Sequence, residues 1–205
     1  MGKLITVSGI DGSGKSTCSI IIKEIFESIN EKAIIIDAMK NGIFLNALRN
    51  NNGYLNRDDL RHIYSPELLN MGWMFDLIYN YETNVQQYLK QGYNVILHRS
   101  ELCCRVYSKL FSSKSYIVDS TLDNYCFDYS LSFFVDTIPE LALKRINERS
   151  YNRRTTKKES LYNLKLASDL YNDYLALPKY NHIIKIDGAL SIPDIKKELE
   201  LRIKA

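Results

Sequence analysis

Gly9-Ile10-Asp11-Gly12-Ser13-Gly14-Lys15-Ser16-Thr17 is the stretch that decides the fold. It satisfies G-x-x-x-x-G-K-[ST] at every fixed position, with the apolar run Leu4-Ile5-Thr6-Val7 before it and a helical pattern from Lys15 onward. Each residue type has a chemical reason. Glycines let the backbone curl until successive N–H groups face the oxygens of a phosphate. The helix that follows adds partial positive charge at its N-terminus. In such a loop the lysine reaches the β- and γ-phosphates and the hydroxyl after it holds Mg²⁺. Gly9, Asp11, Gly12, Ser13, Gly14, Lys15, Ser16 and Thr17 are therefore the candidate triphosphate contacts, with Ser16 the candidate metal ligand. The plain alternative is a glycine-rich turn between a strand and a helix. A chance match in a chain this long is roughly a one-in-a-hundred event.

Working outward, 205 residues suit one domain, 1–205, with a sizeable core. Hydrophobic residues at 45% and charged residues at 25% fit a soluble globular protein. A formal charge of +3 is too small to argue for a nucleic-acid polymer as partner. Cys18, Cys103, Cys104 and Cys126 form no Cys-x-x-Cys pair, so a reduced, cytoplasmic setting is expected. No apolar run approaches the length of a membrane span, and no signal peptide is expected, because Met1 is followed almost at once by the first strand.

Five short β-rich runs read as strands: Leu4–Val7, Ala33–Ile36, Asn94–Leu97, Leu131–Val135 and His182–Ile186. They alternate with helical patterns, which predicts a parallel sheet flanked by helices. The first helix carries Cys18, Ile21, Ile22, Ile25, Phe26 and Ile29 on one stripe. A long helix is expected from about Glu67 to Lys90, capped by Gly92. Further helices begin at Pro139, near Ser160 and near Pro193. Lys40–Pro66 and Lys109–Asp128 read as irregular, and loops that long are often functional.

A basic cluster follows the Pro139 helix: Arg145, Arg149, Arg153 and Arg154, then Lys157 and Lys158. Such arginines could close over a triphosphate and neutralise charge on the transferring group. A solvated basic helix end explains them equally well. The Asn-Lys-x-Asp motif that reads guanine is not in the chain, which disfavours a GTPase.

Taken together, these segments resemble the thymidylate kinase branch of the P-loop kinases, close kin of deoxynucleoside kinases. The resemblance runs through Ile5–Thr17, Phe133–Asp136 with the helix from Pro139, Arg149 through Ser160-Leu161 to Tyr174, and Ile186-Asp187-Gly188. It implies a three-layer α/β fold, a lid at about 149–159, ATP with Mg²⁺, a homodimer, and phosphoryl transfer to a nucleotide-like small-molecule acceptor. In that frame Lys15, Arg99 and the lid arginines Arg149, Arg153 and Arg154 are the expected catalytic cations.

Departures from the family pattern concern the acceptor. His98-Arg99-Ser100 stands where the family carries a carboxylate before the arginine. Arg99 keeps its implied phosphate contact. His98 is either a base, since imidazole titrates near neutrality, or a hydrogen-bonded strand-end histidine. Asp37 and Glu101 are possible substitutes for the carboxylate. Trp73 matches the family's base-stacking aromatic, but Leu77 replaces the arginine four residues on. Lys40 and Arg49 could partly replace a missing Arg-Glu-Pro-Gly segment, and Arg105 could supply an acceptor contact. A hydroxyl acceptor, or a module that binds nucleotide without transferring it, stays open at this point.

Overall fold

The computed structural model describes residues 2–38, 42–51, 60, 62–112, 114–152 and 160–204. The strands are β1 (Leu4–Ser8), β2 (Ala33–Asp37), β3 (Asn94–His98), β4 (Leu131–Asp136) and β5 (Ile184–Asp187). They form one parallel sheet in the order β2-β3-β1-β4-β5. The described helices are α1 (Lys15–Ser28), α2 (Ile43–Asn51), α3 (Pro66–Asn80), α4 (Gln86–Lys90), α5 (Glu101–Phe111), α6 (Tyr116–Asp123), α7 (Pro139–Asn152), α8 (Leu161–Leu175) and α9 (Ile192–Lys204).

Alternation along the strands builds the three layers. Ile5, Val7, Ile96, Phe133 and Val135 face α1 and α9, whose Ile22, Phe26, Ile195 and Leu199 close that core. The intervening residues face the opposite way. Leu4, Val95 and Leu97 meet Met74, Leu77 and Cys104, while Phe134 meets Leu102, Ala142 and Tyr171. With both faces covered, strand residues of either parity are apolar, the usual pattern of a buried parallel sheet.

Local chemistry sets the helix ends. Ser65, Ser100 and Ser160 cap α3, α5 and α8 by accepting from the backbone N–H of Leu68, Leu102 and Asn163. Pro66 occupies the first turn of α3. The long helix expected over 67–90 is continuous but contains a π turn at Tyr81–Val85, and Gly92 follows its end at φ 80°.

Two segments read as irregular contain helices. Within 40–66, α2 starts where the buried carboxylate of Asp76 accepts from Phe44 N (2.9 Å) and Leu45 N (3.2 Å). A cap that arrives from another helix leaves no local signature. Within 109–128, α6 buries only Val118 and Leu122, a stripe too short for periodicity to reveal.

Candidate active site

Parallel strands bring their carboxyl ends together, and the candidate site lies there. Register aligns Asp37 with His98 and His98 with Val7, so the ends of β2, β3 and β1 form one row. From β1 the chain enters the glycine loop. Gly9, Gly12 and Gly14 have φ of 146°, 83° and 109°, values that side-chain-bearing residues rarely adopt. A Cβ on Gly9 would stand 2.7 Å from Val135 O, and one on Gly12 would run into Ala142 O. The loop is thus wedged between β4 and α7 in a shape that only glycine permits.

Lys15 is 5% exposed and donates from Nζ to Ile10 O at 2.6 Å, with Asp11 Oδ1 at 3.7 Å. Burial lowers its pKa, Asp11 opposes that shift, and Arg99 reinforces it. Ser13 Oγ is buried without a partner among the described residues. An orphaned hydroxyl inside a glycine cradle, beside a buried ammonium, fits a phosphate-bearing ligand. Ser16 is exposed and shares a cavity of about 490 Å³ with Asp37 and His98. Those oxygens suit a hard cation such as Mg²⁺, which keeps most of its shell as water and phosphate oxygen. Among the described residues no group of three or more His, Cys, Asp or Glu forms a metal cage.

Arg99 leaves β3 at φ 73°, a left-handed conformation costing a non-glycine residue roughly 1–3 kcal/mol. Three contacts hold it there. Its N–H donates to Val7 O (3.3 Å), its Nη2 donates to Asp11 Oδ1 (3.0 Å), and neighbouring Ser100 Oγ pairs with Ser8 Oγ (2.8 Å). Burial opposes its charge, but Asp11, then Tyr107, Cys103 and Asp37, outweigh it and raise its pKa. From α5, Tyr107 accepts at its hydroxyl from Asp11 N (3.1 Å).

Behind the loop, Arg145 donates from Nη1 to Ser13 O (3.1 Å) and from Nη2 to Gly188 O (2.9 Å). Thr137 Oγ1 donates to Ser13 O as well, at 3.0 Å. Arg145 and Arg149 line a cleft of about 170 Å³ with Thr17, Cys18, Leu190 and Ile192. Burial pushes the Cys18 thiol up to about 11, so it is a packing residue and no nucleophile.

The structure therefore gathers Gly9 through Thr17, Arg99, His98 and Asp37 around one centre, with Arg149 exposed at the rim of the neighbouring cleft. Arg153, Arg154, the lid from 153 to 159 and Lys40 lie outside the described residues. Arg49 is on α2, where it donates to Asn46. Trp73 is partly buried against the cores on either side of α3, and Leu77 is a core residue at 1% exposure.

Arg105 is not brought to the site. Residues two apart on a helix point in nearly opposite directions, so with Tyr107 on the loop Arg105 faces away. Its guanidinium, 3% exposed, meets Glu101 (3.2 Å), Asp119 (3.1 Å) and Asp123 (2.9 Å). Glu101 belongs to that cluster too and is no stand-in for the missing carboxylate. Burial raises its pKa, and Arg105 pulls it back.

Sequence reasoning did not single out Ser8, Ser19, Tyr107 or Thr137. Each is an ordinary residue until the fold delivers it to the loop, and no local pattern marks it.

The model of the thymidylate kinase family matches residues 7–199 of this chain. The thymidylate kinases of Legionella pneumophila strains Corby and Paris are each 26% identical to it over 206 aligned positions, covering 97% of this chain and 92% of theirs.

Proposed function

The chain belongs to the thymidylate kinase family, ATP-dependent nucleoside monophosphate kinases, and on that premise we propose that it transfers the γ-phosphoryl group of ATP to thymidine monophosphate or a close analogue. The observation that carries this reading is Arg99 docked on Asp11. Two cations on one carboxylate support the reading, because donor and acceptor phosphates need such charge between them.

Phosphoryl transfer asks a protein mainly for positioning and charge neutralisation. The backbone N–H groups of 9–17 hold the triphosphate. Lys15 and Arg99 exchange their contacts with Asp11 for phosphate oxygens and offset the charge that develops on them. Mg²⁺, held through Ser16 with Asp37 nearby, supplies further neutralisation when bound. The cleft of Arg145 and Arg149 receives the nucleoside end of ATP, and Arg149, Arg153 and Arg154 supply the lid's charge and exclude water. Trp73 offers a flat face to the acceptor base.

A monophosphate acceptor is already ionised and needs no base. Burial, then Lys15 and Arg99, lower the His98 pKa to about 4, so the ring adds no positive charge to the site at neutral pH. Exposed Ile43, Phe75 and Tyr79 on α2 and α3 offer an apolar face for the second copy of a homodimer. No described helix is long and apolar enough to cross a membrane.

The test is an acceptor screen for ADP formation with nucleosides, nucleoside monophosphates and small hydroxyl compounds, with Lys15→Ala as control. Turnover is expected with thymidine monophosphate and lost in the control. Turnover confined to free nucleosides or other hydroxyl compounds would overturn the reading.

A further inference from the structure

His98 ends β3 opposite Asp37 in the sheet register. What its imidazole can do there depends on which ring nitrogen carries the proton. The surroundings decide that. Ser19 is 1% exposed on the first helix, and its hydroxyl donates to Lys15 O at 2.9 Å, since a carbonyl can only accept. A serine has one hydrogen to give, so Ser19 Oγ meets His98 Nδ1, 3.4 Å away, as an acceptor. Nδ1 is then the donor, and Nε2, on the far side of the ring, keeps its lone pair. The ring lines the same cavity of about 490 Å³ as Ser16 and Asp37.

We propose that Ser19 is a positioning residue that holds His98 in the Nδ1–H form, so that Nε2 serves the site as a neutral acceptor for an O–H donor. The imidazole then accepts a hydrogen bond without adding charge to the site. Two sources can present the O–H: a metal-bound water or a hydroxyl of the phosphate acceptor. Burial and the charges of Lys15 and Arg99, opposed by Asp37 and Asp11, keep the ring neutral near pH 7. This inference rests on the kinase reading for its donor, but the proton position is a property of the free protein.

The experiment is long-range ¹H–¹⁵N correlation of the histidine rings in the full chain. There are only three histidines, His62, His98 and His182, and His98→Gln assigns the one of interest. Wild type and Ser19→Thr should show His98 protonated at Nδ1. Ser19→Ala should relax toward Nε2–H and lose about tenfold in kcat with ATP KM nearly unchanged, and Ser19→Thr should restore kcat. A change in Nε2 shift on adding Mg²⁺ with a non-hydrolysable ATP analogue assigns the donor to metal-bound water. A change with thymidine monophosphate alone assigns it to the acceptor. Nε2–H in the wild type, an unaltered proton position in Ser19→Ala, or no shift with both ligands together would overturn the proposal. Wild type and Ser19→Thr keep it falsifiable if Ser19→Ala does not fold. Loss of turnover with thymidine monophosphate in the same preparation would count against the substrate reading and leave the proton position standing.

Discussion

Arg99 Nη2 lies 3.0 Å from Asp11 Oδ1, joining the exit of β3 to the middle of the phosphate loop. Asp11 also faces Lys15 at 3.7 Å, so one carboxylate spaces the two cations that phosphate oxygens would share. Arg99→Ala should lower kcat by about 10²–10³, as loss of a transition-state donor does, with ATP KM changed by less than about threefold. Steady-state kinetics with each substrate varied gives the answer. Equal losses in kcat and in ATP binding would place Arg99 on the triphosphate alone.

Arg145 joins the loop to the turn after β5 through Ser13 O and Gly188 O. Removing two charge-assisted hydrogen bonds loosens the cradle before any ligand arrives. Arg145→Ala should raise ATP KM by about tenfold or more, with a smaller effect on the acceptor KM. Calorimetric titration with a non-hydrolysable ATP analogue checks it, and unchanged affinity would contradict the clamp.

Arg105 is buried among Glu101, Asp119 and Asp123. Arg105→Leu leaves Glu101 and Asp119 without that cation, while Asp123 keeps Lys179 at 2.7 Å, and should cost about 1–3 kcal/mol of stability. Activity per folded molecule should stay within about twofold, because the guanidinium points away from the loop. Denaturant titration paired with kinetics separates the two effects. A raised acceptor KM at normal stability would restore the acceptor contact that the sequence suggested.

Burial first, then Lys15 and Arg99, lower His98 from 6.5 to about 4. The native state keeps this ring neutral where the unfolded chain protonates it. Stability from this group is therefore complete above about pH 6.5 and declines as pH falls toward about 4, by at most about 3 kcal/mol. Urea midpoints at about pH 7 and about pH 4.5 should converge in His98→Gln relative to wild type. Parallel pH curves for the two proteins would refute it.

The loop from Gly9 to Thr17 was legible because its function depends on backbone shape and adjacent residues. Glycines at positive φ, a lysine and a hydroxyl must follow one another, so their spacing is written in the chain. The five strands were legible because a parallel sheet covered on both faces is apolar at both parities, and the structure moved their ends by a residue or two. Helix α2 was not, because its N-terminal cap is Asp76, some thirty residues away. The direction of Arg105 was hidden for a similar reason, since it depends on which face of α5 meets the loop.

By itself, then, the sequence determined the parallel α/β architecture, the phosphate loop and the family pattern around it. All three are carried by local periodicity and contiguous residues. Only the tertiary structure decided that Arg99 docks on Asp11, that Arg105 meets Asp119 and Asp123, and that Ser19 meets His98. Those pairs lie 88, 14 to 18 and 79 residues apart or depend on how a helix is turned. Such contacts form when the sheet order β2-β3-β1 brings strand ends side by side, and no local pattern in the chain encodes that order.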